Sequence, residues 1–391
     1  MSRKRRPFAQ RMADIRPFHV MALLARARKL EADGHSIVHM EIGEPDFDTP
    51  PAIVNAGLAA LQGGKTHYTP AAGLPALREA ISRHYAERFG VNVAPARIFV
   101  TPGASGALLL VLASLVDPGA RVLMSDPTYP CNSNFVRLLE GEPVLLPTGP
   151  ETGYQLDAGH AAPHCDARTA ALIVASPSNP SGTLVPVEQM RALLAMADEC
   201  GARLIVDEIY HELVYDEPPL TALALSDELF VINSFSKYFG MTGWRLGWVV
   251  APECYRGALD TLAQNLFLAA PTPAQWAALA AFEPETLALL EDRRRELQQR
   301  RDWLLPALRE LGFRIPVRPQ GAFYLYADCS AFTDDSYAFA ERALEEAGVA
   351  FTPGIDFGEH RANVHVRFSY TTSMEQLREG VRRLADWLGQ R

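Results

Sequence analysis

The sequence predicts an α/β protein: a large unit on a mostly parallel, doubly wound sheet, joined to a smaller α+β unit. Short β-rich runs alternate with helical patterns through the middle of the 391-residue chain, which is the pattern of parallel βαβ units. Several of these runs are uninterrupted apolar stretches, as expected of strands covered by helices on both faces. After about residue 284 the alternation gives way to a long charged helical stretch and two isolated β-like segments.

In chain order, the candidate strands of the large unit are 97–101, 121–125, 143–146, 170–175, 203–206, 230–233 and 246–250. The helical pattern over 104–116 is apolar almost all round, which fits a helix buried in a large core. That over 189–199 is amphipathic and stops at Gly201. The smaller unit is read from a charged helix over 285–311, strands over 323–327 and 364–368, and a closing helix over 374–388. The residues before about 48 are expected to complete it, with Pro50-Pro51 as the hinge. The expected division is 49–284 for the large unit and 1–48 with 285–391 for the small one.

Composition narrows the function. With 48% apolar and 21% charged residues the chain reads as globular, and no apolar run approaches the roughly 18 residues of a membrane span. The formal charge is −9, and a basic leader (Arg3, Lys4, Arg5, Arg6, Arg11) makes the remainder more acidic still. A nucleic-acid partner is therefore not expected, nor is a membrane, and the leader, which has no apolar stretch behind it, reads as a solvated tail of a cytoplasmic protein. Five dispersed cysteines (Cys131, Cys165, Cys200, Cys254, Cys329) form no CxxC pair and are expected to be reduced thiols, with no metal site. Gly63-Gly64-Lys65-Thr66 resembles the end of a P-loop, but the first glycine of that spacing falls on Ala59. There is no GxGxxG after a strand and no GxSxG elbow.

Of 37 cationic residues only Lys4, Lys29, Lys65 and Lys237 are lysines, and Lys237 alone lies in an apolar, serine-flanked stretch. Ser234, Ser236 and Arg245 surround it: two hydroxyls, one fixed cation and an amine, a set able to bind a phosphate while leaving the amine for covalent work. The plainer reading is a lysine reaching water from a strand end and an arginine in an ordinary ion pair. Gly103, Ala104 and Ser105 stand where a strand opens directly into a helix, either an anion site or a glycine turn with no ligand. Asp207 follows an apolar strand without a gap and needs a cationic or hydrogen-bonding partner.

Taken in order, Ile42-Gly-Glu-Pro-Asp-Phe47, Tyr68-Thr-Pro-Ala-Ala-Gly73, Ser178-Asn-Pro-Ser-Gly182, Asp207-Glu-Ile-Tyr210, Ser234-Phe-Ser-Lys237 and Val366-Arg-Phe-Ser-Tyr370 resemble the class I and II aminotransferases, pyridoxal-phosphate enzymes of fold type I. The resemblance implies a pyridoxal 5′-phosphate cofactor, with Lys237 as Schiff-base lysine and proton shuttle and Asp207 paired with the ring nitrogen. It makes Tyr210 and Asn179 donors to the phenolic oxygen and Tyr129 the aromatic stacked on the ring. Gly103, Ala104, Ser105, Ser234, Ser236 and Arg245 become the phosphate cup, and Arg367 the grip on the substrate carboxylate, assisted by Asn179 and Gly43. Tyr68 is implied to reach the phosphate of a neighbouring subunit, hence a homodimer with the active site at its interface.

The implied reaction is ping-pong transfer of an amino group from an L-amino acid to a 2-oxo acid. Relatives that handle aspartate often carry a lysine at the position filled here by Ser105, so a neutral donor, aliphatic or aromatic, is expected. The apolar segment Asn265 to Ala270 is expected to border the site, with Phe18 joining it. The alternatives are a β-eliminating C–S lyase on the same scaffold and, less favoured, a non-catalytic cofactor-binding regulator.

Overall fold

The computed structural model describes residues 8–15 and 17–389, so Arg3, Lys4, Arg5 and Arg6 of the basic leader lie outside the described residues. All seven candidate strands are present: β1 (Ile98–Thr101), β2 (Arg121–Asp126), β3 (Glu142–Pro147), β4 (Thr169–Ala175), β5 (Arg203–Asp207), β6 (Phe230–Ser234) and β7 (Gly247–Val250). They form one sheet in the order β1-β7-β6-β5-β4-β2-β3. Every pairing is parallel except those of β7, which runs antiparallel to both β1 and β6.

The sheet is buried on both faces, which is why its strands read as continuous apolar runs. Leu172, Val174, Leu204, Val206 and Val231 join one core cluster, while Ala171, Ile173, Ile205 and Ile232 join the other. The helix Gly103–Leu115 packs into the second cluster through Ala107, Leu108, Leu110, Val111 and Leu112. The helix Val187–Cys200 closes at Gly201 in the left-handed region (φ 72°), the stop read from the sequence.

A three-stranded antiparallel sheet follows, built from β8 (Tyr324–Asp328), β9 (Thr352–Pro353) and β10 (His365–Ser369), with β10 in the middle. The N-terminal segment joins this part of the molecule, since Val38–His39 pairs in parallel with Val349–Ala350. The long charged helix is Pro284–Glu310 and the closing helix Met374–Gly389. Two arginines of the long helix, Arg300 and Arg301, are almost fully buried. Arg300 meets the Asp46 carboxylate at 2.8 Å and the Thr371 carbonyl at 2.8 Å, while Arg301 takes Asp216 at 2.8 Å. These bonds pair the terminal nitrogens of both buried cations, Arg300 Nε having no partner, and the Arg300 bonds fix the stretch around Gly43–Phe47 against the second sheet. Pro50 and Pro51 form the entry to the helix Pro51–Gln62, with Pro51 as its first residue.

One expectation is overturned. Cys165 and Cys200 are joined as a disulfide, with Cα atoms 6.3 Å apart, leaving Cys131, Cys254 and Cys329 free. The two lie 35 residues apart in sequence and meet because the turn before β4 and the end of the helix Val187–Cys200, which leads into β5, lie at the same end of two neighbouring parallel strands.

Gly247 marks the tightest strand-to-helix approach: a Cβ there would sit 2.7 Å from the Gly103 carbonyl carbon and 2.8 Å from the Ala104 nitrogen. Both obstacles are backbone. Gly247→Ala is therefore expected to destabilise the protein by about 1–3 kcal/mol, read as a lower urea midpoint with unchanged slope.

Candidate active site

The carboxyl ends of β4, β5 and β6 open together on one side of the sheet, the position where open α/β sheets bind ligands. At or just after these ends stand Asn179, Asp207 with Tyr210, and Ser234 with Ser236 and Lys237. All of them line one cavity of about 300 Å³, together with Gly43, Ala104, Ser105, Tyr129, Arg245 and Arg367. Gly103 lies behind this wall; a Cβ on it would sit 2.7 Å from Arg245 Nη2, and its φ of +71° suits glycine alone. Tyr68 lies away from the cavity altogether, 82% exposed.

Lys237 Nζ donates to the Gly43 carbonyl at 2.7 Å. Burial drives its pKa down to about 8, and Arg367 and Arg245 push the same way against Glu44 and Asp207. Asp207 accepts the Ile209 N–H at 3.1 Å, yet burial lifts its carboxyl to about 6 because that bond and Lys237 only partly offset the lost water. The pair is thus an amine close to releasing its proton and an acid short of positive partners.

Arg367 is the other singular group. Its guanidinium is 5% exposed and makes no ion pair among the described residues. Nη1 donates to Asn179 Oδ1 at 2.9 Å; Nη2 donates to the Glu41 carbonyl at 2.6 Å and Thr352 Oγ1 at 3.1 Å; Nε has no partner. The rings of Tyr324 and Phe357 lie 4.2 and 4.8 Å from its central carbon. A buried cation whose hydrogen bonds all go to neutral groups, with the Asp356 carboxylate acting on it only through space, is a site for an anion.

Tyr324 was not singled out in the sequence, where it reads as one more tyrosine of a core strand. It joins the parts: its hydroxyl lies 2.9 Å from the Tyr210 hydroxyl, and a Cβ on Gly43 would come within 2.0 Å of it. Gly43 is needed for that approach. Thr352, Asp356, Phe357 and Glu41 also line the cavity unforeseen, each a loop or strand residue with no distinguishing local pattern. Phe18 lines it as expected, its ring 6.4 Å from that of Tyr129. The segment Asn265 to Ala270 does not. It spans the end of the helix Arg256–Leu266 and the residues after it, where Leu266 and Leu268 are about half exposed.

Pyridoxal phosphate fits this set of groups. Asp207 calls for a protonated ring nitrogen, and Tyr129 offers a ring face. For the phosphate there is the start of the helix Gly103–Leu115, the Arg245 guanidinium, and the hydroxyls of Ser105, Ser234 and Ser236, the last two 2.8 Å apart.

The family model for aminotransferase class I and II matches residues 35–384. The chain is 39% identical over 378 residues to the valine–pyruvate aminotransferase of Mycobacterium tuberculosis, covering 96% of this chain and 97% of that protein. It is 38% identical over 387 residues to the aspartate/prephenate aminotransferase of Thermus thermophilus, covering 98% and 99%. A crystal structure of an aminotransferase from Mycobacterium tuberculosis superposes with a TM-score of 0.95 at 39% identity, over 99% of this chain and 100% of that one.

In the cofactor-free protein Lys237 is expected to react with amine-selective reagents with a midpoint at about 8, ammonium below and free amine above. Asp207→Asn removes an anion that favours the ammonium form and is expected to move the midpoint lower. Peptide mapping of labelling rate against pH reads both.

Proposed function

The chain belongs to the class I and II aminotransferases, pyridoxal-phosphate-dependent enzymes that move an amino group between an amino acid and a 2-oxo acid, and from this we propose which of its residues act and which donors it takes. The observation that carries the reading is Arg367, a buried guanidinium without an acid partner, in the same cavity as an amine whose pKa is lowered to about 8.

Bound pyridoxal phosphate supplies an electron-withdrawing ring that acidifies the Cα–H bond of an attached amino acid. Asp207 holds the ring-nitrogen end and Tyr129 covers the ring. Gly103, Ala104, Ser105, Ser234, Ser236 and Arg245 hold the phosphate. Tyr210 donates toward the phenolic oxygen; Asn179, whose amide oxygen is already taken by Arg367, turns its nitrogen to the same task. Arg367 grips the substrate carboxylate as a fork, with Asn179 and the Gly43 backbone beside it, and so fixes which Cα bond faces Lys237. Lys237 Nζ takes the Cα proton as free amine and gives it back later, as a base of pKa about 8 can near neutral pH.

The donor is read as neutral, aliphatic or aromatic. The three cations lining the cavity, Lys237, Arg245 and Arg367, all have tasks on the cofactor or the α-carboxylate. Of its two further acids, Asp356 is engaged with backbone N–H groups through both oxygens, and Glu41 through Oε1 with His39 Nδ1 at 2.7 Å, its Oε2 having no partner. Phe18, Val20, Met21, Ile209 and Phe357 make the rest of the wall apolar. This agrees better with the valine–pyruvate relative than with the aspartate/prephenate one. A homodimer belongs to the same reading. Tyr68 is 82% exposed, and Val54, Leu58 and Leu61 form an exposed stripe along the helix Pro51–Gln62, surfaces for a second copy that would bring Tyr68 to the neighbouring phosphate. The division into 49–284 and 1–48 with 285–391, and a cytoplasmic location, complete it; no helix among the described residues is long and apolar enough to cross a membrane.

Single-turnover spectra of the cofactor-loaded protein across an amino-acid panel test the donor class. Leucine, valine, methionine or phenylalanine are expected to exceed aspartate in kcat/KM by about tenfold or more; the reverse order rejects a neutral donor. Pyruvate and ammonia released from cystathionine without an added oxo acid would point to elimination instead. Borohydride reduction and peptide mapping are expected to place the pyridoxyl label on Lys237, and Arg367→Gln is expected to raise KM for every donor by about tenfold or more.

A further inference from the structure

The outer apolar wall of the cavity is the first turn of the helix His19–Ala32, and that turn has no cap of its own. Phe18 occupies the cap position in extended conformation (φ −74°, ψ 126°) and offers no side-chain acceptor. The orphaned N–H groups go to a residue more than 300 positions away. Asp356 Oδ1 accepts from His19 N at 2.8 Å, and Asp356 Oδ2 accepts from Val20 N at 2.7 Å. A carboxylate at this end of the helix also meets the positive end of the helix dipole.

The position of Asp356 gives this cap a function. Its side chain is 7% exposed and lines the substrate cavity beside Phe357 and Arg367. The turn it holds supplies Phe18, Val20 and Met21 to that cavity. Phe18 and Asp356 also line an adjoining groove of about 510 Å³, so the capped turn is the partition between the two spaces. Besides this cap the turn has two ring contacts, Phe18 with Tyr129 at 6.4 Å and His19 with Tyr337 at 5.1 Å. Met21 is 56% exposed, and the buried contacts of the helix begin only at Leu23 and Leu24.

We propose that Asp356 is a positioning residue for donor selection: by capping the first helix it holds Phe18, Val20 and Met21 against the donor side chain, and so sets a preference for large apolar donors without touching the reacting atoms. The proposal rests on the neutral-donor reading above and adds the device that enforces it. Arg367 handles the end of the substrate common to all amino acids; Asp356 acts on the end that differs between them.

The test compares Asp356→Ala and Asp356→Asn with wild type, using leucine and alanine as donors and following amide hydrogen exchange at residues 18–22 of the cofactor-loaded protein. For Asp356→Ala, kcat/KM for leucine is expected to fall about tenfold, mainly through KM, and far more than for alanine. Exchange at His19 and Val20 should accelerate about tenfold while the β5 amides are unchanged. Asp356→Asn, which keeps one acceptor oxygen, should lie between. Met21→Ala should reproduce the loss of leucine preference with exchange protection intact, and it carries the selectivity test should Asp356→Ala fail to fold. Equal loss for both donors, or unaltered exchange in Asp356→Asn, overturns the proposal. A wild-type enzyme that does not prefer leucine over alanine would overturn donor selection by this wall, while the exchange data would still show whether Asp356 holds the turn.

Discussion

Arg367 brings a buried guanidinium to the cavity, and the groups in contact with it are two carbonyl oxygens, one hydroxyl and two aromatic faces. Burying a cation with no ion pair is costly, and these partners, with the Asp356 carboxylate acting through space, only partly offset the cost. The remainder acts as a standing attraction for one anion of the right shape. The same charge discourages a second cation nearby and helps to hold Lys237 toward its free-amine form. Carboxylate recognition and base strength are therefore coupled through one side chain, and neither is adjusted without the other.

That charge depends on elements that are distant in sequence. Arg367 comes from β10, Thr352 from β9, Asn179 from the loop after β4, and Glu41 from the N-terminal segment. The N-terminal segment is held by the Asp46–Arg300 pair and by the Asp46 N–H bond to the Thr371 carbonyl at 3.0 Å. The second sheet and its tether to the long helix thus serve the site as directly as the main sheet does. Buried arginines in the helix Pro284–Glu310 are the anchors of that tether.

The seven strands of the main sheet were legible because burial on both faces writes a continuous apolar run into the sequence, and Lys237 because a lone amine in such a stretch has no structural reason to be there. The predicted residues meet in or directly behind one cavity, with Gly103 behind its wall and Tyr68 away from it, since most of them sit within a few residues of strand ends and the sheet brings those ends together. What stayed hidden depends on tertiary contact alone. Tyr324 reads as core, Asp356 as one acid among many, and Cys165 and Cys200 as unrelated thiols; nothing local marks a cap or a bridge whose two halves are remote in sequence. The segment Asn265 to Ala270 lies outside the cavity of the single chain, with Leu266 and Leu268 about half exposed: apolar character alone does not say what a segment packs against.

The parallel ladder of β4, β5 and β6 also acts as a ruler. Neighbouring strands stand about 4.8 Å apart, and Ala175 pairs with Asp207 while Asp207 pairs with Ile232, two residues before Ser234. The spacing between the carboxylate at one end of the ring site and the hydroxyl at the other is metered by main-chain hydrogen bonds that do not stretch. Side chains alternate faces along a strand, so a slip of β6 by a single residue would turn Ser234 away altogether. Loops and wall residues are free to drift toward new substrates, whereas the seat beneath them is quantised: it is either in register or lost.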